Sequence, residues 1–156
     1  MTNHEQFFSL AVECAKKATC KRDLCGAVIV KDDAVIGEGW NSPSGNDEDQ
    51  RMCAMESYDW MKKKKSDKTC CMHAEWRAIM VALSKFPHEI LGSTMYFTRI
   101  DGEGNILKSG EPYCTVCSRL VLDSGITKFA LWQESGIRIF GADEYNQRSY
   151  SFHQTI

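Results

Sequence analysis

Two short stretches, CMHAE at residues 71–75 and PYCTVC at residues 112–117, decide how this sequence is interpreted. Each stretch opens a predicted helix. Apolar residues recur at helical spacing from Ala74 to Phe86, just before a proline, and a second helix is predicted from Thr115 to Ser124, just before a glycine. A helix N-terminus favours negatively charged groups, including thiolates over thiols. The cysteine and histidine side chains of these stretches are therefore candidates for metal binding.

The spacing of these residues fits a zinc site with an open position. Cys114 and Cys117 are three residues apart, so on a helix both sulfurs face the same way, and His73 can supply a third ligand from the other helix. One imidazole and two thiolates suit a tetrahedral zinc ion and leave the fourth position for water, as catalytic sites do. Water bound to zinc can have a pKa near ~7, so hydroxide is available at neutral pH.

Glu75 completes the pattern, because it lies two residues after His73 and can sit beside the metal without binding it. The order H-x-E followed by P-C-x-x-C is the signature of zinc deaminases, whereas C-x-x-C alone is shared with redox and structural zinc motifs. Together the two motifs favour a catalytic site over a purely structural one. In this chemistry Glu75 takes a proton from the water and hands it to the ring nitrogen and the leaving amine, which contributes about 10²–10⁴-fold in rate.

The chain resembles the cytidine and deoxycytidylate deaminase superfamily over roughly residues 5 to 133. The resemblance is carried by CKRDLCGAVIV at 20–30, GWN at 39–41, CMHAEWRAI at 71–79 and YCTVCSRLVLDSGI at 113–126. It implies a single zinc-dependent deaminase domain over residues 1–156, with a three-layer α/β/α architecture and a mixed, about five-stranded sheet. It also implies a homo-oligomer, since the superfamily forms dimers to hexamers.

The pattern in the rest of the chain agrees with an α/β fold. Apolar residues between Phe7 and Ala18 indicate a first amphipathic helix. Only residues 133–135 separate the last two predicted strands, too few for a parallel crossover, so this pair is expected to be antiparallel. The predicted strands are 27–30, 35–40, 94–100, 128–132 and 136–140, the predicted loops are 41–49 and 101–111, and a helical tail is predicted from residue 142.

By the same resemblance, His73, Cys114 and Cys117 match the zinc ligands, and Glu75 matches the proton shuttle. These four residues are the ones already selected by their chemistry and spacing. The cofactor implied is one catalytic Zn²⁺.

Further residues are predicted to bind the substrate. Asn41 matches an asparagine that often contacts substrate at the end of the second strand, and the backbone of Ala74 would help to position the amide edge of the ring. Trp40 and Tyr113 lie beside these motifs and are predicted to line the pocket, where an aromatic ring can stack on a flat substrate. Core or interface packing is the expected role of Trp76.

The two halves of the chain give different indications of subclass. The first half looks most like deoxycytidylate deaminases, which usually carry asparagine where this chain has Arg77; that side chain could bind a phosphate or pair with an acidic neighbour. Tyr113 stands between Pro112 and Cys114, where the usual pattern puts proline next to the cysteine. The C-terminal half looks more like nucleoside cytidine deaminases. The leading prediction is a hydrolytic deaminase of a cytosine-type nucleoside or nucleotide that uses zinc-bound hydroxide.

Two alternatives remain open at this point. One is a deaminase of another amino-ring, such as guanine, a pterin-like metabolite or a tRNA adenosine, although a net charge of -2 does not favour a nucleic-acid partner. The other is a catalytically inactive, zinc-stabilised binding module. The presence of Glu75 speaks against this second alternative, since a purely structural site needs no such carboxylate.

The chain carries eight cysteines, more than the catalytic motif requires. Some deoxycytidylate deaminases carry a second, structural zinc ion, and Cys20 and Cys53 fall at similar places. A closed site with Cys70 or Cys71 is chemically sensible. The alternative is that these residues are buried free thiols, which behave as small apolar groups.

Composition sets the remaining expectations. No run of 18 apolar residues is present and the N-terminus is polar, so no membrane partner is expected and the protein is predicted to be cytoplasmic. Residues 51–70 are interpreted as a helix, with one face formed by Met52, Met55, Tyr58 and Met61. The run from Lys62 to Lys65 is expected to be solvated.

Overall fold

The structure, a computed structural model, describes residues 3–54 and 70–154. Its helices are α1 (Asn3–Ala15), α2 (Ala74–Lys85), α3 (Thr115–Asp123) and α4 (Ala142–Gln154), with one-turn 3-10 helices at Ser44–Asn46, Glu48–Gln50 and Met52–Ala54. Its strands are β1 (Leu24–Lys31), β2 (Ala34–Trp40), β3 (Ser42–Pro43), β4 (Cys71–Met72), β5 (Thr94–Ile100), β6 (Ile106–Leu107), β7 (Lys128–Gln133) and β8 (Gly136–Gly141).

The central sheet is mixed. Its main path runs β2-β1-β5-β7-β8, and β6 pairs with β5. Strands β5 and β7 are parallel, whereas the other neighbours in this sheet are antiparallel. A parallel pair needs a crossover connection, and α3 lies within the one that joins β5 to β7. The two-residue strands β3 and β4 pair separately, with Ser42 opposite Met72 and Pro43 opposite Cys71.

Helices cover both faces of this sheet. Helix α1 packs on one face through a cluster that includes Phe8, Val28 and Tyr96. Helices α2, α3 and α4 cover the other face, where Ala78, Val121 and the residues around them form the larger core cluster. The three-layer α/β/α fold predicted from the sequence is therefore confirmed.

Two glycines of β2 allow α2 to lie directly against the strand. A Cβ atom at Gly39 would lie 2.1 Å from the carbonyl oxygen of Ala74, and one at Gly37 would lie 2.4 Å from that of Ala78. Only glycine fits where a helix backbone comes this close to a strand. This contact fixes the first turn of α2, which carries Glu75, against the end of β2.

Most of the elements predicted from the sequence are present, including the antiparallel pair β7 and β8. The predicted loop over 101–111 was wrong in part, because it contains β6, and the loop predicted over 41–49 contains β3 and short helical turns. Such short elements hold too few residues to show a periodic pattern. The prediction of a helix over 51–70 falls mostly on residues 55–69, which lie outside the described residues, as do Lys62 to Lys65. Within the described residues, no helix has the length and apolar character needed to cross a membrane.

Candidate metal centre and active site

The starts of two helices bring one nitrogen and two sulfurs together. His73 is the N-cap residue of α2 and Cys114 is the N-cap residue of α3. The Nδ1 atom of His73 lies 3.2 Å from the Sγ atom of Cys117 and 3.7 Å from that of Cys114, and the two sulfurs are 2.9 Å apart. All three ligand atoms lie within 4.8 Å of one another. One imidazole and two thiols converging on a point is a donor set that fits Zn²⁺.

The two cysteines of this group differ in their electrostatic environment. The contact with Cys117, followed by that with His73, lowers the pKa of Cys114 to about 5. The Sγ atom of Cys114 also accepts a hydrogen bond from the backbone N–H of Cys117, at 3.4 Å, as an N-cap side chain does. Burial raises the pKa of Cys117. A thiolate at the start of α3 is the form of cysteine that binds metal ions.

Glu75 lies in the first turn of α2, beside the metal-ligand group. The residue is only 6% exposed. Burial raises the pKa of its carboxyl group, and the neighbouring His73 opposes that shift. The carboxyl group also hydrogen-bonds the thiol of Cys117. A buried carboxyl group whose pKa is raised is suited to accept and return a proton near neutral pH.

Asn41 lies at the end of β2 and is buried. Its Oδ1 atom accepts a hydrogen bond from the backbone N–H of Cys25, at 2.8 Å, and its Nδ2 atom donates to the backbone carbonyl of Asp23, at 2.7 Å. Burial and, after it, the charge of Glu75 raise the pKa of Cys25. Asn41, Cys25 and Glu75 therefore lie at the same end of the sheet.

The other residues predicted to bind substrate occupy different surroundings. Ala74 is fully buried at the start of α2. Tyr113 is half exposed as a residue, and burial and then the charge of Glu75 raise the pKa of Tyr113 to about 12. The centroid of the Trp40 ring lies 5.0 Å from the Nζ atom of Lys17. The roles of these three residues in substrate binding stay predictions.

Three contacts near the site were not predicted from the sequence. Trp76, expected to pack in the core or an interface, stacks on the ring of His73. Arg77 donates hydrogen bonds to the turn that follows β2. In α4, the Nε2 atom of His153 lies 2.6 Å from the carbonyl oxygen of Tyr113. The i, i+3 spacing of His73 and Trp76 was a visible signal for the first contact, whereas the other two join residues that are distant in sequence.

The cysteines proposed for a second zinc ion touch one another in pairs, whereas the group of three ligand atoms that converge within 4.8 Å in the described residues is that of His73, Cys114 and Cys117. Cys71 hydrogen-bonds Cys20 and Cys70, and Cys70 in turn hydrogen-bonds Cys53. The sulfurs of Cys70 and Cys71 are 4.0 Å apart. Burial and then the contact with Cys20 raise the pKa of Cys71 to about 12. The buried guanidinium group of Arg51 lies beside this cluster, with its Nη1 atom 3.9 Å from the sulfur of Cys71.

Comparison with known proteins assigns the chain to a family. The family described as "Cytidine and deoxycytidylate deaminase zinc-binding region" matches residues 1–133. The deoxycytidylate deaminase of Mycobacterium phage D29 is 29% identical over 136 residues, which cover 84% of this chain and 94% of the phage protein. The chain belongs to the cytidine and deoxycytidylate deaminase family.

Solved structures support the same fold. The cytidine deaminase of Burkholderia pseudomallei superposes with a TM-score of 0.59 at 19% identity, covering 93% of this chain and 96% of that one. The dCMP deaminase of cyanophage S-TIM5, in complex with dCMP and dUMP, gives a TM-score of 0.53 at 23% identity and covers 80% of this chain and 76% of that one.

Proposed function

We propose that this chain is a zinc-dependent hydrolytic deaminase that acts on a cytosine nucleoside or nucleotide. The observation that carries the proposal is the buried carboxyl group of Glu75 beside the converging side chains of His73, Cys114 and Cys117. Membership of the family and the similarity to a phage deoxycytidylate deaminase support the choice of a cytosine ring.

The proposed reaction replaces the exocyclic amino group at C4 of the ring with an oxygen atom from water. His73, Cys114 and Cys117 would hold the zinc ion, which when bound acts as a Lewis acid and makes a water molecule nucleophilic at neutral pH. A C–O bond forms at C4 and the C–N bond breaks. Of the two protons of water, one ends on the ring nitrogen N3 and the other leaves with the amino group as ammonia.

Glu75 is the group that moves these protons. Its carboxylate accepts a proton from the water and delivers it to N3, and then transfers the second proton to the departing amine. The position of Glu75 in the first turn of α2, buried against Cys117, keeps its carboxyl group out of bulk water.

Asn41 and Ala74 are proposed to position the substrate. One lone pair of the Asn41 Oδ1 atom is used by Cys25, and one N–H of its Nδ2 atom is used by Asp23. A carboxamide oxygen has a second lone pair and an NH₂ group a second hydrogen. These remaining sites can bind a sugar hydroxyl, while the backbone of Ala74, at the start of α2, binds the polar edge of the ring.

A second, structural zinc ion is proposed at Cys20, Cys53, Cys70 and Cys71. The pairwise contacts between their thiols support this, because cysteine thiolates are the usual ligands of closed, structural zinc sites. A homo-oligomer also stays a prediction, and light scattering of the purified protein would test it.

The experiment that tests the proposed activity is release of ammonia from a panel of compounds. The zinc-loaded protein is incubated separately with cytosine, cytidine, deoxycytidine and deoxycytidylate, and with guanine, a pterin and an adenosine-containing tRNA as other amino-rings. Ammonia from one or more of the cytosine compounds supports the proposal. Ammonia released only from a compound with another ring would show that this compound, and not a cytosine compound, is the substrate. A panel in which no compound releases ammonia would overturn the proposed activity.

A further inference from the structure

The guanidinium group of Arg77 is directed at residues 40–43, where β2 passes through Asn41 into β3; this segment is called the Asn41 turn below. Its Nη1 atom donates to the carbonyl oxygen of Trp40, at 3.1 Å, and to the hydroxyl group of Ser42. Its Nη2 atom donates to the carbonyl oxygens of Ser42, at 3.3 Å, and Pro43, at 2.7 Å. Four contacts from one side chain thus bind three of the four residues in the segment that joins β2 to β3.

This arrangement differs from both roles considered for Arg77 from the sequence. Within residues 3–54 and 70–154, no carboxylate forms an ion pair with its guanidinium group. Burial lowers the pKa of Arg77, which marks a cation drawn away from water. A phosphate clamp needs two parallel N–H groups of the guanidinium fork free for a bidentate contact. Here both Nη atoms already donate to the turn.

The turn held by Arg77 is the one that contains Asn41. On its other side, the carboxamide of Asn41 is bonded to Asp23 and Cys25 at the start of β1. Arg77 lies in α2, two residues after Glu75. Its side chain therefore joins the helix that carries the proton-transfer group to the segment that carries the proposed sugar-binding group.

Other contacts hold parts of the same segment, since the backbone of Asn41 bonds Thr19 and Cys25 and Trp40 pairs with Gly26. The pairing of β3 with β4 comprises only Ser42 with Met72 and Pro43 with Cys71. The close packing of Gly39 on Ala74 fixes the strand before the turn but not the turn itself. Arg77 adds to these contacts a direct link from α2 to Trp40, Ser42 and Pro43.

We propose that Arg77 is a positioning residue that sets the Asn41 turn against the first turns of α2, and that it does not bind a phosphate group of the substrate. The catalytic consequence of this proposal rests on the proposed deaminase function. The structural link between α2 and the Asn41 turn does not depend on that function. Loss of the Arg77 side chain is expected to loosen the Asn41 turn and to misplace the sugar of the substrate relative to Glu75. The effect should then be the same whether or not the substrate carries a phosphate.

The test compares Arg77→Met and Arg77→Lys with a control, Arg119→Met, in the zinc-loaded full chain. Arg119 is exposed on α3 and makes one hydrogen bond, to the carbonyl oxygen of Thr115. Methionine removes every donor, whereas the single ammonium group of lysine can replace only part of a planar fork. Hydrogen exchange of the backbone over residues 40–46 is measured by mass spectrometry, with α1 as an internal reference for intact folding.

Exchange over residues 40–46 is expected to rise about tenfold in Arg77→Met, less in Arg77→Lys and not at all in the control, while α1 stays protected. For every substrate that the unaltered protein deaminates, kcat/KM of Arg77→Met should fall by the same factor, about 10–100-fold. Partial recovery of kcat/KM in Arg77→Lys would support positioning by the side chain.

Two results would overturn the proposal. One is unchanged exchange over residues 40–46 in Arg77→Met. The other is a loss confined to phosphorylated substrates and seen as a raised KM with kcat unchanged, which would make Arg77 a phosphate ligand. If the unaltered protein deaminates nothing, the proposed function fails, whereas the exchange measurement still decides whether Arg77 holds the turn.

Discussion

The indole ring of Trp76 lies parallel to the imidazole ring of His73, with ring centroids 3.9 Å apart and 2° between the ring planes. The two residues are three positions apart at the start of α2, so their side chains share one face of the helix. The indole Nε1 atom is buried and has no hydrogen-bond partner among the described residues. The face of the Trp76 ring thus packs against the imidazole ring of His73. This packing holds the Nδ1 atom of His73 toward Cys114 and Cys117.

This stacking predicts a role for Trp76 in metal affinity. Trp76→Ala should lower the affinity for zinc about 10–100-fold, because residues that orient a metal ligand typically contribute that much. Trp76→Phe keeps a flat ring and should retain most of the affinity. Competition with a chromophoric chelator measures both values. Equal affinities for the unaltered protein and Trp76→Ala would show that the stacking has no such role.

Glu75 is predicted to be needed for turnover but not for zinc binding. Glu75→Gln keeps the size of the side chain and removes its capacity to accept a proton, so kcat should fall about 10²–10⁴-fold. Zinc content, measured by atomic emission on the same sample, should stay unchanged. A Glu75→Gln variant with full activity would exclude Glu75 as the proton shuttle.

The zinc content of cysteine variants separates the two proposed metal sites. The unaltered protein is expected to hold two zinc ions per chain. Cys117→Ser should lose the catalytic ion, and the double variant Cys53→Ser, Cys70→Ser should lose the structural ion while keeping the catalytic one. A single ion in the unaltered protein, retained in the double variant, would show that the cysteine cluster holds free thiols.

Gly39→Ala is predicted to destabilise the fold through α2. The added Cβ atom would lie 2.1 Å from the Ala74 carbonyl oxygen, so the helix must shift away from the strand. Overpacking of this kind costs about 1–3 kcal/mol in the free energy of unfolding. Urea denaturation measures the loss, and Gly102→Ala is the matched control because its Cβ atom would meet nothing within 4 Å. Equal midpoints for the two variants would contradict the packing described for α2.

The ion pair of Arg51 and Glu48 predicts a dependence of stability on pH. Arg51, which is 8% exposed, donates from both Nε and Nη2 to the Glu48 carboxylate at 2.7 Å. Hydrogen bonding from Arg51 lowers the pKa of Glu48 from 4.5. A carboxyl group with a lowered pKa in the folded state stabilises the fold above its unfolded pKa, and the contribution is lost as the pH falls through the folded pKa.

Melting temperatures of the unaltered protein and Glu48→Gln should therefore differ at neutral pH and converge as the pH falls below about 4.5. Thermal unfolding across a series of buffers measures the difference. A gap that stayed constant down to the most acidic buffer would show that the charge of Glu48 does not stabilise the fold.

Much of the catalytic centre was accessible from the sequence because its residues lie in two local motifs. Cys114 and Cys117 are three residues apart, so helix geometry groups this pair, whereas His73 and Glu75 are brought together by the short H-x-E motif at the start of a predicted helix. The five strands of the main sheet path were also predictable, since their apolar runs are bounded by turns and loops, whereas the two-residue strands β3, β4 and β6 were not. That the two motifs converge on one point could be seen only in the three-dimensional structure.

The contacts of Arg77 could not be predicted in this way. Its acceptors are mainly backbone carbonyls of residues 40–43, and a backbone carbonyl has no side-chain signature in the sequence. The link arises only because glycines let α2 approach β2 closely. Which cysteines of the cluster touch one another could not be predicted either. Cys20 and Cys71 are distant in sequence and meet only through the tertiary fold.

The most direct test of the central claim is a reaction of the zinc-loaded protein with a cytosine substrate from the panel in oxygen-18-labelled water. The account predicts a uracil product that carries one heavy oxygen atom, formed together with one equivalent of ammonia, and almost no product with Glu75→Gln. A zinc-loaded protein that leaves every cytosine substrate unchanged, or a Glu75→Gln variant that forms labelled product at the same rate, would contradict it.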